Sequence, residues 1–177
     1  MRQKTETMLC VAFMELLKKY PFSKITIQKL AGQCGVNRQT FYYHFDNIYD
    51  LMSKAFEYEL VHESRIYEEV SWEYVMSSFL HWLKEHRAII RNILANAELP
   101  YLKRAIYPLI ARSISCGCFK QEDADAQPVS KQQEDFCINF LTIGITQYVL
   151  EWVESDFREP IEDIVAHMSW LLRKVYA

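Results

Sequence analysis

Polar and aromatic side chains occur together near residue 40, where the chain reads Gln39-Thr40-Phe41-Tyr42-Tyr43. Gln39 and Tyr43 are four residues apart, so a helix places them on one face, with Thr40 and Tyr42 at its two sides. Amide and hydroxyl groups can hydrogen-bond the edges of bases, and aromatic rings can contact thymine methyl groups. A solvated helix more often carries charged residues such as Glu and Lys on its outer face. We therefore predict that this face contacts nucleic-acid bases.

Groups suited to phosphate binding surround this face. Cationic side chains occur on both sides of it in the sequence, and two predicted helix N-termini would present free backbone N–H groups to an anion. A histidine follows directly after the tyrosine pair. The complete set of predicted DNA contacts is Lys24, Thr26, Lys29, Asn37, Arg38, Gln39, Thr40, Tyr42, Tyr43 and His44.

The segment that carries these groups has the pattern of two short helices joined by a turn. Thr26 and Asn37 are residue types that commonly cap helix N-termini, and Gly35 permits the left-handed backbone that ends the first helix. Phe41 and Phe45 fall on the side opposite the polar face. We expect this side of the second helix to pack on the neighbouring helices. This pattern predicts a helix-turn-helix, whose second helix enters the major groove of DNA.

Helical spacing of apolar residues continues along nearly the whole chain, and we find no segment with the alternation of a strand. On the first helix the predicted buried stripe ends at Tyr20. Pro108 is expected to kink the helix that contains it. Besides the two helices of the motif, we predict helices over about 3–20, 47–68, 88–97, 132–154 and 160–176, two more that begin after Ser71 and near Pro100, and a polar loop over 116–130.

Composition agrees with an all-α protein. The chain has 177 residues, of which half are hydrophobic, and only four Gly and five Pro, fewer than an all-β fold needs for its turns. No uninterrupted run of 18 apolar residues occurs, and the N-terminal residues lack the pattern of a secretory signal. Five scattered cysteines suit reduced thiols. We expect a cytoplasmic protein without a membrane partner.

Charge is unevenly distributed along the sequence. Residues 1–50 hold seven Lys and Arg against four Asp and Glu, whereas residues 51–177 hold thirteen against nineteen. The net charge of −3 for the whole chain therefore hides a basic N-terminal part. This asymmetry indicates that only the N-terminal part contacts a polyanion.

Catalytic patterns are missing from the sequence. We find no glycine-rich phosphate loop, no metal-ligand spacing and no Ser or Cys nucleophile beside an evident base. The pair Cys116 and Cys118 lacks a second pair at ligand spacing. We predict that the protein is not an enzyme and that it uses no metal and no cofactor.

The motif closely resembles the TetR family of bacterial transcriptional regulators. The matching residues are Ile27, Leu30, Ala31, Gly35, Val36, Asn37, Thr40, Phe41, Tyr42, His44, Phe45 and Leu51. The resemblance implies that Thr40, Tyr42 and His44 contact the DNA backbone and base edges. It also implies that Tyr43 tunes sequence choice. This chain departs from the family at Ile48, where relatives commonly hold a Lys that grips a phosphate.

The resemblance further implies a domain organisation and a mode of regulation. We expect a three-helix DNA-binding domain over residues 1–46 and a larger helical ligand-binding and dimerisation domain over 47–177. The protein would bind a palindromic double-stranded DNA operator as a homodimer, most simply as a repressor that a small molecule releases. The arrangement of Gly144, Trp152 and the last helix resembles a subgroup that includes dihydroxyacetone-kinase regulator-like proteins.

Two sets of residues in the C-terminal part are candidates for these roles. Aromatic residues at helical spacing are more often plain core, but a ligand pocket would draw on them. The broad apolar circumference of the helix at 132–154 favours an interface between two copies of the chain. Ligand candidates are Trp72, Phe79, Trp82, His86, Tyr101, Tyr107 and Trp152, and dimer candidates are Phe140, Ile143, Tyr148, Trp152, Ile164, Met168, Leu171 and Leu172.

An alternative interpretation keeps the DNA-binding motif but changes the role of the C-terminal helices. In that case the protein is a DNA-tethered activator or adaptor, and these helices bind a partner protein instead of a small ligand. Salt-sensitive duplex binding, a thermal shift with metabolites and co-purification of a second protein would distinguish these alternatives.

Overall fold

The computed structural model describes residues 2–63, 71–96, 99–118 and 130–176. Within these ranges the chain is helical without any strand, so the predicted all-α class, with a helix-turn-helix at the N-terminus and a larger helical part after it, is confirmed. The helices are α1 (Arg2–Lys19), α2 (Ile27–Gln33), α3 (Arg38–His44), α4 (Ile48–Glu63), α5 (Trp72–Glu85), α6 (Arg87–Asn96), α7 (Leu99–Cys118), α8 (Lys131–Glu154) and α9 (Ile161–Tyr176), with a short 3₁₀ turn at Phe22–Lys24.

Two sequence predictions fall partly outside the described ranges. The fourth helix was expected to reach residue 68, and the structure describes it to Glu63. Most of the loop expected over 116–130 also lies outside the description. At its start the loop prediction is wrong, because α7 continues to Cys118. Pro108 lies inside α7, and the kink expected there stays a prediction.

The described helices form two compact units. One contains α1 to α4 together with α6 and the part of α7 up to Ala105. The other contains α5, the rest of α7 from Ile106, and the helices α8 and α9. The predicted domain boundary between residues 46 and 47 does not coincide with the division into these two units, and it stays a prediction.

The core of the first unit forms where α1 packs against α4. Leu9, Phe13 and Leu17 of α1 are buried, as are Leu51 and Phe56 of α4, because each set recurs at helical spacing on one face. The prediction that Tyr20 continues the buried stripe is wrong. The helix ends at Lys19, so Tyr20 leaves the helical path before the following proline and is exposed.

A side chain of α6 closes the C-terminal end of α1. Asn92 Nδ2 donates to the carbonyl oxygens of Leu17 at 2.9 Å and Tyr20 at 2.8 Å, while its Oδ1 accepts from the backbone N–H of Phe22 at 2.9 Å. The last carbonyls of a helix have no partner within it. One amide group therefore satisfies three backbone groups at the point where α1 gives way to the 3₁₀ turn.

The core of the second unit includes the contact between α5 and α9. Met76, Leu80 and Leu83 of α5 are buried, as are Ile164 and Leu172 of α9. The exposed side of this contact is polar, where Glu73 Oε1 accepts from Ser169 Oγ at 3.2 Å and from Arg173 Nη2 at 3.3 Å.

Only one side of α8 is covered within the second unit. Leu141, Ile145 and Val149 face inward, but the outer side exposes Phe136 and Phe140, each at 67%, in a stacked pair with ring centroids 6.0 Å apart. By length and composition α8 is the one described helix that could cross a membrane. That is weak evidence, because the core helix of a soluble protein meets the same criterion.

The connection from α8 to α9 uses a left-handed backbone at residues other than glycine. Asp156 has a φ of 63° and Phe157 a φ of 59°, in a region that a bulky residue seldom adopts. The Phe157 ring is buried and meets Trp152 edge-on at 4.8 Å, and its N–H donates to the Trp152 carbonyl. Packing of the ring therefore offsets the backbone strain.

Candidate nucleic-acid interface

Local hydrogen bonds build the helix-turn-helix as the sequence predicts. Thr26 Oγ1 accepts from Lys29 N at 3.1 Å and starts α2, and Asn37 Oδ1 accepts from Thr40 N at 2.7 Å and starts α3. Between them Gly35 has a φ of +65°, where any side chain would be strained. These three residues turn the chain so that α3 follows α2 directly.

The two sides of α3 differ sharply in exposure. Phe41 is fully buried and Phe45 nearly so, with their rings 5.6 Å apart. On the opposite side Tyr43 is 67% exposed and Gln39 is also exposed. We call Gln39 and Tyr43 the α3 ridge. The structure therefore presents to solvent the groups that could hydrogen-bond base edges.

Thr40 and Tyr42 lie on the two flanks of the α3 ridge, and each makes a hydrogen bond to a neighbouring side chain. Thr40 Oγ1 donates to Asn37 Oδ1 at 3.0 Å. Arg38 Nη2 donates to Tyr42 Oη at 3.4 Å, and its guanidinium carbon lies 6.0 Å from the Tyr42 ring centroid. Tyr42 is half exposed and Thr40 is half-buried.

The predicted cations differ in their surroundings. Lys29 Nζ sits 2.9 Å from the centroid of the Tyr20 ring, which holds the ammonium group by a cation–π contact. Lys24, at the end of the 3₁₀ turn, is exposed. His44 is half-buried against the Tyr43 ring, and its Nδ1 is buried without a hydrogen-bond partner among the described residues.

The start of α4 lacks a cation. Ile48 is half-buried there, and Asn47 Oδ1 caps the helix by accepting from Tyr49 N at 2.9 Å and Asp50 N at 3.0 Å. Because these N–H groups are already bonded within the chain, the α4 N-terminus has little left to offer a phosphate.

A cysteine links the motif to α1. Cys34 Sγ donates to the carbonyl oxygen of Met8 at 3.7 Å, and burial raises the pKa of this thiol. In the core of α1, burial raises the pKa of Cys10 to about 12. Neither thiol is poised to form a thiolate. In the described part of the chain, no three His, Cys, Asp or Glu side chains are grouped to hold a metal ion.

The structure distributes the ligand candidates between the two units. His86, half-buried, and Tyr101 belong to the first unit, and the side chain of Tyr101 is outside the described residues. The others belong to the second. Trp72, Phe79, Trp82 and Trp152 are buried there, and Tyr107 is half-buried with its hydroxyl donating to Asn139 Oδ1. Trp152 Nε1 donates to the Glu159 carbonyl at 2.9 Å.

The dimer candidates divide by exposure. Trp152, Ile164, Met168 and Leu172 are buried inside the second unit, so they support the α8–α9 surface from beneath. Phe140, Ile143, Tyr148 and Leu171 are exposed, and three of these line an apolar groove between α8 and α9 in which Gly144 and His167 also lie. A hydrogen bond to Glu159 raises the pKa of Tyr148 to about 12.

Sequence reasoning missed two residues that shape this site. Tyr20 holds Lys29, and Asn92 closes α1 from a position 70 residues beyond Phe22. An aromatic residue next to a helix-ending proline was a signal for Tyr20. Nothing local to Asn92 marks it as a cap.

Two protein-family models match the chain, one in its N-terminal part and one over most of the remainder. The family described as "Bacterial regulatory proteins, tetR family" matches residues 11–55, and the family described as "Transcriptional regulator C-terminal region" matches residues 70–174. No curated protein sequence matches.

Two solved structures share the fold. The dihydroxyacetone kinase operon activator DhaS is 18% identical with a TM-score of 0.66, over 97% of this chain and 96% of its own. A TetR transcriptional regulator from Streptococcus agalactiae 2603V is 22% identical with a TM-score of 0.58, over 99% and 96%. The expected likeness to TetR regulators and to dihydroxyacetone-kinase regulator-like proteins is confirmed.

Proposed function

The chain belongs to the TetR family of bacterial transcriptional regulators, and from this premise we propose that it binds a palindromic operator as a homodimer in the cytoplasm. The exposed α3 ridge, backed by two buried phenylalanines, carries the DNA-binding part of the proposal. Two such helices would enter successive major grooves about 34–36 Å apart.

Selection of bound duplexes from a random pool tests this proposal. We expect a two-fold symmetric sequence whose half-site centres are one helical turn, about 10 base pairs, or a multiple of it, apart. Enrichment of no sequence at all, or of a single asymmetric half-site, would contradict it. Binding should also weaken steeply with added salt, because phosphate contacts release counterions.

The outer side of α8 and the groove beside it support the homodimer. Exposed aromatic and aliphatic groups there form an apolar surface, which a monomer rarely leaves open to water. A Cβ added at Gly144 would meet no atom within 4 Å. The open space at this glycine would let a helix of a second copy approach closely.

Gly144→Trp tests the interface without overpacking the core of the protomer. Filling the groove with an indole should cost the dimer about 1–3 kcal/mol, measured by analytical ultracentrifugation. Lys84→Trp is the matched control, since it adds the same side chain at an exposed position of α5. Equal self-association of the two variants would show that the groove is not the interface.

Control by a small molecule is supported by two buried polar atoms in the second unit. Trp72 Nε1 and Thr146 Oγ1 have no hydrogen-bond partner in the described part of the chain. Leaving such an atom unpaired costs about 1–3 kcal/mol, so a bound molecule that pairs it gains affinity. Trp72 can only donate, so the proposed effector carries an acceptor such as a carbonyl, carboxylate or phosphate oxygen.

Thermal shift measurements with a panel of metabolites that carry such acceptors test the effector. A stabilising metabolite should lose its effect in Trp72→Phe or Thr146→Val, and it should change the affinity for the selected operator. No shift with any member of the panel, or equal shifts in all variants, argues against an effector at these atoms.

Activation rather than repression is the second candidate. One solved structure that resembles the chain over 97% of its length, at 18% identity, is described as an operon activator. The stacked pair Phe136 and Phe140 gives a partner protein an apolar contact surface. Deleting the gene and measuring transcripts beside the selected operator decides the sign: transcripts rise for a repressor and fall for an activator.

A further inference from the structure

We propose that Tyr20 and Asn92 are positioning residues for DNA binding: the Tyr20 ring holds the Lys29 ammonium group in place for a phosphate, and Asn92 fixes the backbone of Tyr20. The inference rests on the proposed DNA binding and adds a source of affinity that lies outside the helix-turn-helix. It starts from the kind of group that the structure places beside Lys29.

A neutral partner distinguishes Lys29 from a lysine at the end of α1. Lys18 Nζ lies 2.9 Å from Glu15 Oε1 in an ion pair. Lys29 Nζ instead lies 2.9 Å from the centroid of the Tyr20 ring, and within the described ranges no carboxylate pairs with it. A carboxylate cancels the charge of its lysine toward other anions, whereas a ring face attracts the cation and carries no net charge. The Lys29 ammonium group is thus held in one place with its full charge left for a phosphate.

Holding the Lys29 side chain in place favours binding because a lysine side chain is long and flexible. A free lysine loses rotamer freedom when a phosphate fixes it, and this loss weakens the contact. Lys29 is half-buried on α2, the helix that crosses the DNA backbone in a helix-turn-helix. The contact with Tyr20 restricts the side chain before DNA is bound, so less freedom is lost on binding.

The backbone of Tyr20 is fixed from both sides. Its N–H donates to the Leu16 carbonyl at 2.8 Å, and the Pro21 that follows has a φ of −55°, which its own ring imposes. The carbonyl oxygen of Tyr20 accepts from Asn92 Nδ2 at 2.8 Å. Because the Tyr20 side chain is exposed rather than buried in the core, we expect these backbone constraints to decide where its ring lies.

Asn92 ties the end of α1 to α6. The same side-chain amide donates to the Leu17 carbonyl at 2.9 Å and accepts from the Phe22 N–H at 2.9 Å. Residues before and after Tyr20 are therefore bonded to one side chain, and loss of Asn92 would release the segment that carries the ring. Removing Asn92 should then weaken the phosphate contact of Lys29 as well as the fold.

A double-mutant cycle on the selected operator, measured by fluorescence anisotropy at constant salt, tests the role of Tyr20. Tyr20→Leu removes the aromatic face, and we expect it to weaken binding by about two- to tenfold. In the Lys29→Ala background the same substitution should cost nothing, because the group that the ring holds is gone. Tyr20→Phe keeps the ring and should restore wild-type affinity. Tyr74→Leu, at a similarly exposed position of α5, is the matched control and should bind as wild type does.

The same kind of cycle tests Asn92. Asn92→Ala should weaken operator binding by about two- to tenfold in the wild-type background and leave it unchanged in the Lys29→Ala background. Since this variant is also expected to be less stable, binding is measured well below its melting temperature, where circular dichroism shows that it is folded. An equal loss in both backgrounds would make Asn92 a structural cap alone and overturn its part in the inference.

The outcomes separate this inference from the proposed function. If no duplex is selected, the proposed DNA binding fails and the inference fails with it. If an operator is selected but Lys29→Ala binds it as wild type does, DNA binding stands and the inference is wrong, because Lys29 contacts no phosphate. Tighter binding by Tyr20→Leu would show that the ring withholds Lys29 from the duplex, which also overturns the inference. Equal losses for Tyr20→Leu in both backgrounds, a loss with Tyr20→Phe, or the same loss with Tyr74→Leu would each overturn it too, since the ring would then not act through Lys29.

Discussion

Thr146→Val should stabilise the folded protein, although it deletes a polar group. Thr146 lies on the inner side of α8 with no exposed surface, and its Oγ1 has no hydrogen-bond partner in the described ranges. An unpaired buried hydroxyl costs about 1–3 kcal/mol, and a methyl group of the same size carries no such cost. Val and Thr have similar helix propensities. We expect the free energy of unfolding to rise by about 1–2 kcal/mol.

Thr142→Val is the matched control, one turn earlier on the same helix. Thr142 is equally buried, but its Oγ1 donates to the Ile138 carbonyl at 2.6 Å. The substitution removes a hydrogen bond with a net contribution of about 0.5–1.5 kcal/mol and gains apolar burial that offsets it. Its effect on stability should therefore be near zero or slightly destabilising.

Urea unfolding followed by circular dichroism measures both variants beside wild type. The comparison requires equal denaturant slopes and equal protein concentrations, because the unfolding of a dimer depends on concentration. If Thr146→Val is no more stable than Thr142→Val, the hydroxyl of Thr146 has a partner and the argument from its burial is refuted. A loss of stability greater than that of the control would lead to the same conclusion.

Further predictions concern single residues of the DNA-binding unit. Tyr43→Ala should reduce discrimination among operator sequences by about 1–3 kcal/mol in competition binding, and an unchanged preference would mean that this ring contacts no base. Lys29→Ala should reduce the slope of log affinity against log salt by about one, and an unchanged slope would show that the ammonium held by Tyr20 contacts no phosphate. Asn92→Ala should lower the free energy of unfolding by about 1–3 kcal/mol, since three backbone groups lose their partner, and an unchanged melting curve would show that water replaces it. Cys10, with its pKa raised to about 12, should stay unmodified by iodoacetamide at pH 8 until denaturant is added, whereas modification in the native protein would disprove its burial.

Sequence predicted the helix-turn-helix well because its determinants are local. Thr26, Gly35 and Asn37 act within three or four residues of their own positions, so their residue types were sufficient. The separation of Phe41 and Phe45 from the outer face follows from helical spacing alone.

Contacts between distant segments were beyond the sequence. Helical spacing put Tyr20 on a buried stripe, but the end of α1 decides its exposure and lets it hold Lys29. The broad apolar circumference of α8 was evident, yet which of its residues face inward depends on the helices that cover it. Trp152 shows this, since its burial and its bond to Glu159 arise from the turn after α8.

The bond network of Asn92 means that the DNA-binding unit is discontinuous in sequence. A fragment that stops after α4 would lack this amide, leaving the carbonyls of Leu17 and Tyr20 and the Phe22 N–H without their partner. Chimeric regulators made by exchanging N-terminal segments at a single junction would combine an Asn92 from one parent with a helix end from another. To exchange the complete DNA-binding unit, a chimera therefore needs two junctions, so that α6 is replaced together with α1, whose end it caps.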